Sequence, residues 1–198
     1  AVHYLSLFVH RFKGKFYVKD ALFKLSWAYY LQGNISQAEK YRKLVASRGN
    51  DEVDADKVAL REAKKGTWPD TTILRARMLM NGGFFQEALE TITRKKVEDY
   101  NKLIDKIEYA YFLARIYDEL GKDDQAIALY DATIKGGSDR PEYYAARAAL
   151  QIAFIYEKRK DTTNALKYFR QCLNMNEQEY KTTLDQRAKA GINRLTIR

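Results

Sequence analysis

Few residues in this sequence have both the type and the spacing that chemistry at a site requires. His3 and His10 are the two histidines of the chain. If they share one helix, two turns separate them by roughly 10 Å along the axis, too far for one metal ion to bind both. Cys172, the single cysteine, falls at a small position near the end of a predicted helix, which favours packing over a reactive thiol. The sequence therefore predicts no metal site and no nucleophile at these residues.

Two further segments resemble ligand loops only superficially. The series Asp51, Asp54 and Asp56 lacks the glycine and the closing glutamate of a calcium loop, so we interpret it as helix capping and solvation. The pair Gly82-Gly83 lies in a predicted helix turn and not in a phosphate loop after a strand. No Ser-His-Asp or Cys-His arrangement suggests itself. We expect no catalysis and no cofactor.

The charge of the chain is unevenly distributed. Its net value is +9, which suggests nucleic acid or another anionic polymer as a partner. Residues 1–50 hold nine basic and two acidic residues, and residues 151–198 hold ten and five, but residues 51–150 hold sixteen and nineteen. A continuous phosphate backbone needs an unbroken basic track. Nucleic-acid binding is therefore disfavoured, and binding through the basic ends is kept as an alternative.

Composition and periodicity predict an all-α fold. Apolar residues make up 46% of the chain, and two prolines and ten glycines are too few for the turns of an all-β protein. No run approaches the roughly 18 apolar residues of a membrane helix, so no transmembrane segment is predicted. The chain begins with Ala1. We expect a processed protein or a piece of a longer one, from which a targeting signal would be missing.

Four segments share a turn followed by a helix with alanine in its first turn. They are YYLQGNISQAEKY, MLMNGGFFQEALE, IYDELGKDDQAIALY and FIYEKRKDTTNALKYF. This pattern is typical of the tetratricopeptide repeat (TPR), in which small residues let two helices approach and aromatic residues fill the gap to the next hairpin. The third segment matches best, at Leu113, Ala114, Tyr117, Gly121, Ala126 and Tyr130. The fourth has Lys160 where the turn glycine is usual, and the second matches least.

The repeats predict seven segments within a single domain, residues 1–198. They are the second helix of a truncated repeat at 1–14, repeats at 18–48, 70–96, 103–136 and 141–175, an inserted helix at 51–66 and a capping helix at 178–197. In the inserted helix, one of three aspartates would cap the start and Gly66 would end it. The predicted fold is a right-handed α-solenoid of TPR-like hairpins.

A closer resemblance rests on two strings, FKGKFYVKDALFKLSWAYYLQGN and LRARMLMNGGFFQEAL. Over nearly all of its length the chain resembles the C-terminal half of a group of uncharacterised bacterial TPR proteins, found mainly in Bacteroidetes. The resemblance implies further helical repeats before this region. It also implies export to the periplasm or cell envelope, as for many members. It implies an architecture and no chemistry.

In the TPR hairpins that this chain resembles, the first helix of each repeat lines an inner groove. The groove-lining positions of that helix, counted at fixed offsets within each repeat, correspond in this chain to Phe23, Trp27, Tyr30, Ile73, Arg77, Met80, Tyr111, Arg115, Asp118, Leu150, Phe154 and Glu157. Aromatic residues and arginines are typical interface anchors. We therefore predict these partner-binding residues: Phe23, Trp27, Tyr30, Arg77, Met80, Tyr111, Arg115 and Phe154.

The alternative is that these groove-lining residues have a structural role and do not bind a partner. The inserted helix or a preceding region would bury them, or their arginines would pair with acids such as Asp118. The usual Lys/Asn clamp for peptide carboxylates is not matched, so that activity is not carried over.

Three functions follow from these observations. The leading hypothesis is a scaffold that holds a protein or peptide partner in the groove. The second is binding of nucleic acid or an anionic polymer through basic residues such as Lys13, Lys15 and Lys19. The third is a small-ligand binder or enzyme that uses the groove.

Overall fold

The computed structural model describes residues 2–175 and 180–196, and every regular element in those ranges is helical. The elements are α1 Val2–Arg11, α2 Val18–Leu31, α3 Ile35–Ser47, α4 Asp54–Lys65, α5 Thr71–Asn81, α6 Phe85–Ile92, a 3-10 turn Val97–Asp99, α7 Leu103–Glu119, α8 Asp123–Gly137, α9 Tyr144–Lys158, α10 Thr162–Asn174 and α11 Lys181–Thr196. The prediction of an all-α fold built from TPR-like hairpins is confirmed. The handedness of the solenoid stays a prediction.

The turns inside the four repeats share one backbone conformation. Gly33, Gly83 and Gly121 have φ values of 75°, 82° and 71°, in the left-handed region. Lys160, at the equivalent place in the fourth repeat, has φ 60°. Glycine adopts this conformation without a Cβ clash, whereas a lysine there is strained. The turn geometry of the repeat is thus kept even where the glycine is missing.

The chain divides into two compact units, residues 1–74 and residues 75–198, with the division inside α5. In the N-terminal unit α2 packs against α1, α3 and α4, and α3 also packs against α4. Apolar side chains of α2 and α3, including Leu22, Leu25 and Val45, are fully buried there. The single domain expected for residues 1–198 stays a prediction.

The helix that interrupts the repeats is α4. It ends at Gly66, which has φ 71°, as the sequence predicts. The prediction that an aspartate caps its start is wrong, because the N-cap residue is Val53 and no side chain accepts a hydrogen bond there. Asp54 and Asp56 instead lie in the first turn of the helix. Acidic residues are favourable at that end of the helix dipole.

In the C-terminal unit the helices pack in chain order. Contacts join α7 to α8, α8 to α9, α9 to α10 and α10 to α11, and they also join α7 to α9 and α9 to α11. The small residues predicted at the hairpin contacts, Ala114, Ala126, Ala153 and Ala165, are all fully buried. Small side chains at these positions let the helix axes approach closely.

The last helix, α11, corresponds to the predicted capping helix. Residues 178, 179 and 197 of the predicted span lie outside the described residues. Leu184, Ala188 and Gly191 of α11 are buried, and α11 packs against α9 and α10. Tyr180 was expected within the helical pattern, but it precedes α11 with φ 63°. That part of the prediction is wrong.

Candidate functional site

The eight predicted partner-binding residues differ in burial. Four of them are buried: Phe23, Trp27, Met80 and Tyr111. The other four are half-buried: Tyr30, Arg77, Arg115 and Phe154. The second group is partly accessible to solvent, whereas the first group contributes to the cores. The partner-binding role and the structural alternative both stay predictions.

In the N-terminal unit, Tyr30 is covered by the segment that follows α4. Its ring stacks on Trp68 with centroids 4.5 Å apart, and its hydroxyl donates to the carbonyl of Pro69 at 3.3 Å. Trp68 is held in turn, since its indole N–H donates to Glu39 at 3.1 Å and the guanidinium of Arg42 lies 4.6 Å from its ring centroid. Analysis of the sequence missed Trp68 because it belongs to no repeat position.

In the C-terminal unit, Tyr111 lies at the centre of an aromatic cluster. Its ring centroid is 5.3 Å from that of Phe112, 5.9 Å from that of Tyr143 and 5.2 Å from that of Tyr144. Tyr130 of α8 is 6.2 Å away. Tyr143 and Tyr144 come from the start of α9 and were not predicted as site residues. The sequence feature that could have identified them is the pair of adjacent tyrosines at the start of a repeat.

Three arginines from three helices surround this cluster. Arg77 of α5 lies 5.4 Å from the ring centroid of Phe112, and Arg147 of α9 lies 6.0 Å from that of Tyr143. Arg115 of α7 is 3.5 Å from Glu119. Guanidinium groups over aromatic faces are favourable cation–π contacts. Arg147 was missed because its offset differs from that of the two predicted arginines.

The hydroxyl of Tyr111 lies close to the positive charges of these three arginines. Burial raises the pKa of Tyr111, and the charges of Arg147, Arg115 and Arg77 oppose that rise. Arg115 also lowers the pKa as a nearby donor would. By distance and angle, however, the Tyr111 hydroxyl has no hydrogen-bond partner among the described residues. Three cations thus approach a buried hydroxyl whose proton has no acceptor.

A shallow depression lies between α7 and α9. It is lined by Asp118, Glu119, Gln151, Phe154, Ile155 and Lys158. Asp118 accepts hydrogen bonds from the hydroxyl of Tyr130 at 3.1 Å and from the amide of Gln151 at 3.3 Å. Burial raises the pKa of Asp118, and these two hydrogen bonds oppose the rise.

Phe154 connects the depression to the last helix. Its ring meets that of Phe169 edge-on with centroids 5.4 Å apart, and the guanidinium of Arg187 lies 5.3 Å from its own centroid. Phe169 is fully buried, whereas Phe154 and Arg187 remain accessible. Aromatic area beside a cation is therefore available to a partner on this surface.

The remaining candidates are structural or solvated. Cys172 is buried, and burial raises the pKa of its thiol to about 12. His3 and His10 are exposed on α1, and His10 Nδ1 lies 2.7 Å from the carbonyl oxygen of Ser6. Within residues 2–175 and 180–196, no three His, Cys, Asp or Glu side chains are grouped to hold a metal ion. None of the helices in those ranges is long and apolar enough to span a bilayer.

Comparison with known families agrees with this geometry. The tetratricopeptide repeat family matches the chain at residues 20–45, 110–142 and 146–179. These matches fall on the first, third and fourth predicted repeats. No curated protein matches the chain. Since three repeats are matched and the described fold consists of helical hairpins, the chain belongs to the tetratricopeptide repeat superfamily.

Proposed function

We propose that this chain is a non-catalytic scaffold that binds a protein or peptide partner on the C-terminal unit. Tetratricopeptide repeats generally mediate protein–protein interaction, which makes this class of function the first expectation. Stacked repeats create extended surfaces that suit such partners. The binding surface that we propose is the docking face, defined as Glu119, Gln151, Phe154, Lys158 and Arg187.

One observation carries this assignment. Phe154 is a half-buried aromatic residue on the first helix of a matched repeat, and it lies beside the cation of Arg187. Partly exposed aromatic and arginine side chains next to each other are typical of interface anchors. Gln151 and Lys158 line the same depression and supply a polar rim.

The docking face predicts the chemistry of the partner. An apolar or aromatic side chain would pack on the ring of Phe154, and acidic groups beside it would meet Lys158 and Arg187. Charge-assisted hydrogen bonds to such groups are stronger than neutral ones. Each true anchor would contribute on the order of 2 kcal/mol to binding. We therefore expect a partner segment with one large apolar residue flanked by carboxylates.

The experiment is capture of partners from the source cell, followed by affinity measurement with variants. We expect Lys158→Ala combined with Arg187→Ala to weaken binding at least tenfold and to leave the melting temperature nearly unchanged. Arg170→Ala is the matched control, since Arg170 is exposed on α10 and does not line the depression. An affinity that the double variant leaves unchanged would rule out this face.

Polymer binding through the basic N-terminal residues is less well supported. Lys19 is buried, and its ammonium donates to the carbonyl of Val45 at 2.7 Å and to that of Ala46 at 3.4 Å. It satisfies the C-terminal end of α3 and is not available to phosphates. Lys13 and Lys15 are exposed. Binding to heparin at physiological salt that is lost in Lys13→Glu with Lys15→Glu would favour this second function.

A further inference from the structure

Exposed apolar side chains are concentrated in one short stretch of the chain. Eight large apolar residues are exposed in the part of the chain that the structure describes, and five of them lie between residues 4 and 17. These five are Tyr4, Leu7, Phe12, Phe16 and Tyr17. Single exposed apolar residues need no explanation, whereas a group of them marks a surface that binds another molecule. The exposed side chains between Tyr4 and Tyr17 are named the N-terminal patch.

The first part of the N-terminal patch is the outer face of α1. Spacings of three and four residues place the exposed side chains of α1 on one side of the helix. They are His3, Tyr4, Leu7, His10 and Arg11. Val9, on the opposite side, is buried, and α1 packs against α2. The outer face therefore combines apolar side chains with imidazole and guanidinium groups, and it carries no acid.

The second part is the turn that joins α1 to α2. Residues 10–17, HRFKGKFY, are all exposed, and aromatic and basic side chains are interleaved along them. The ring of Phe12 stacks on that of Phe8 with centroids 4.6 Å apart, yet 44% of Phe12 remains exposed. Phe16 is exposed to the same extent. The turn therefore presents aromatic area directly beside cations.

The backbone of this turn is anchored by the chain that follows α3. The guanidinium of Arg48 donates to the carbonyl of Val9 at 2.6 Å. The backbone N–H of Asn50 donates to the carbonyl of Lys15 at 3.1 Å. A surface whose backbone is already fixed loses little further freedom when it binds. The aromatic side chains of the turn are thus held outward by the fold.

The charge of the N-terminal patch has one sign. Residues 1–19 contain four basic residues and no acid. Within the described residues, no ion pair engages its exposed cations, Arg11, Lys13 and Lys15. Asp51 and Glu52 are exposed after Asn50, and Glu52 accepts the side-chain amide of Asn50 at 2.8 Å. A ligand that complements the patch must therefore supply negative charge and an apolar environment together.

We propose that the N-terminal patch binds the surface of membranes that contain anionic lipids. Aromatic side chains enter the boundary between head groups and acyl chains, and lysine and arginine beside them are attracted to anionic head groups. A fluid lipid surface accepts projecting side chains without the matching groove that a folded partner would need. The proposal does not depend on the docking face, whose residues belong to the C-terminal unit.

The test is co-sedimentation of the full chain with vesicles at physiological salt. The vesicles contain phosphatidylcholine and phosphatidylglycerol in equal parts, and vesicles of phosphatidylcholine alone are the reference. We expect saturable binding to the mixed vesicles and at least tenfold weaker binding to the reference, because its surface carries no net negative charge. No binding to the mixed vesicles, or equal binding to both, would overturn the proposal.

One pair of variants tests the apolar contribution. Tyr4 is 75% exposed and Phe16 44% exposed, so Tyr4→Ser combined with Phe16→Ser should leave the melting temperature nearly unchanged. We expect this double variant to bind the mixed vesicles at least fivefold more weakly. The control is Phe84→Ser, since Phe84 is 54% exposed and lies in the other unit. Equal losses in the double variant and the control would contradict insertion of the patch.

A second pair tests the charge. We expect Lys13→Gln with Lys15→Gln to weaken binding to the mixed vesicles at least tenfold. The control, Lys43→Gln with Lys64→Gln, removes the same net charge from exposed positions outside the patch and should bind as the native chain does. Affinity that falls equally in both double variants would follow net charge alone and would overturn the proposal.

Labelled lipids locate the contact in the native chain. In small bicelles of the same two lipids, with a nitroxide on some acyl chains, backbone N–H signals of residues 4–17 should be broadened most strongly. Broadening centred on another helix would overturn the assignment to the patch. Heparin and a single-stranded DNA oligonucleotide are titrated in parallel, and binding of either one without binding of the mixed vesicles would assign the patch to a polyanion instead.

Discussion

Asp56 caps α2 at the N-cap residue of that helix, Tyr17. Its Oδ2 atom accepts the backbone N–H of Tyr17 at 2.6 Å, and its Oδ1 atom accepts that of Asp20 at 2.9 Å. Tyr17 is the N-cap residue of α2, has φ 62° and supplies no side-chain cap. Asp56 itself belongs to α4 and is 0% exposed. The inserted helix thus provides a carboxylate at the positive end of the α2 dipole, where anions are stabilising.

Asp56→Ala should therefore destabilise the protein. The substitution leaves two N–H groups at the start of α2 without an acceptor, which costs about 2 kcal/mol of unfolding free energy. The measurement is urea denaturation followed by circular dichroism. The control is Asp54→Ala on the same helix, because the Asp54 side chain is 73% exposed and its ion pair with Lys57 is long, at 3.7 Å. Equal losses for the two variants would contradict the capping role.

Larger side chains at the buried alanines of the repeats should destabilise the protein. Ala126 of α8 and Ala165 of α10 are fully buried, so leucine at either place overpacks a helix contact by roughly 1–3 kcal/mol. Thermal unfolding of Ala126→Leu and Ala165→Leu measures the loss. Ala132→Leu is the control, since Ala132 is exposed on α8. Melting temperatures that stay at the native value in the two buried variants would mean that the repeat register is wrong.

Gly191 of α11 should not tolerate a side chain. A Cβ atom added there overlaps the ring of Phe169, which is fully buried and also packs against Phe154. In an exposed helix, glycine to alanine stabilises by up to about 1 kcal/mol. For Gly191→Ala we expect the opposite sign, a loss of roughly 1–3 kcal/mol in chemical denaturation. A gain in stability would show that Phe169 moves aside without cost.

Alkaline conditions should destabilise the fold through its buried tyrosines. Burial raises the pKa of Tyr130 well above its usual value, and burial together with Asp131 raises that of Tyr168 to about 12. A tyrosine in the unfolded chain titrates near pH ~10. Above that pH the unfolded chain loses protons that the folded chain keeps, so the stabilisation is complete below pH ~10 and is lost as the pH rises through the folded pKa.

The measurement is the free energy of unfolding at a series of pH values from neutral to strongly alkaline. Tyr168→Phe removes one of the shifted groups, together with its hydrogen bond to Asp131 at 3.0 Å. We therefore expect this variant to start from a lower stability at neutral pH and to lose stability less steeply above pH ~10. An identical slope for both proteins would exclude a contribution from Tyr168.

The amino-acid sequence by itself determined the helices and their turns. Helical periodicity and the alanine positions are local patterns, and Ala114, Ala126, Ala153 and Ala165 are buried because each lies on the apolar side of its own helix. The turn at Lys160 could also be located, since the flanking repeat pattern forces the left-handed conformation that glycine adopts elsewhere.

The tertiary structure alone decided which helix covers which face. Helical periodicity indicates whether a side chain faces inward or outward on its own helix. It does not indicate which other helix packs against that side chain, because packing partners are distant in sequence. The carboxylate of Asp56 was therefore one of three candidates for the cap of α4, and it proved to cap α2. Likewise, the repeat offsets placed Tyr111, Arg77 and Arg115 in one predicted groove, and only the packing of α9 beside α7 brought Arg147 to them and buried the tyrosine hydroxyl without an acceptor.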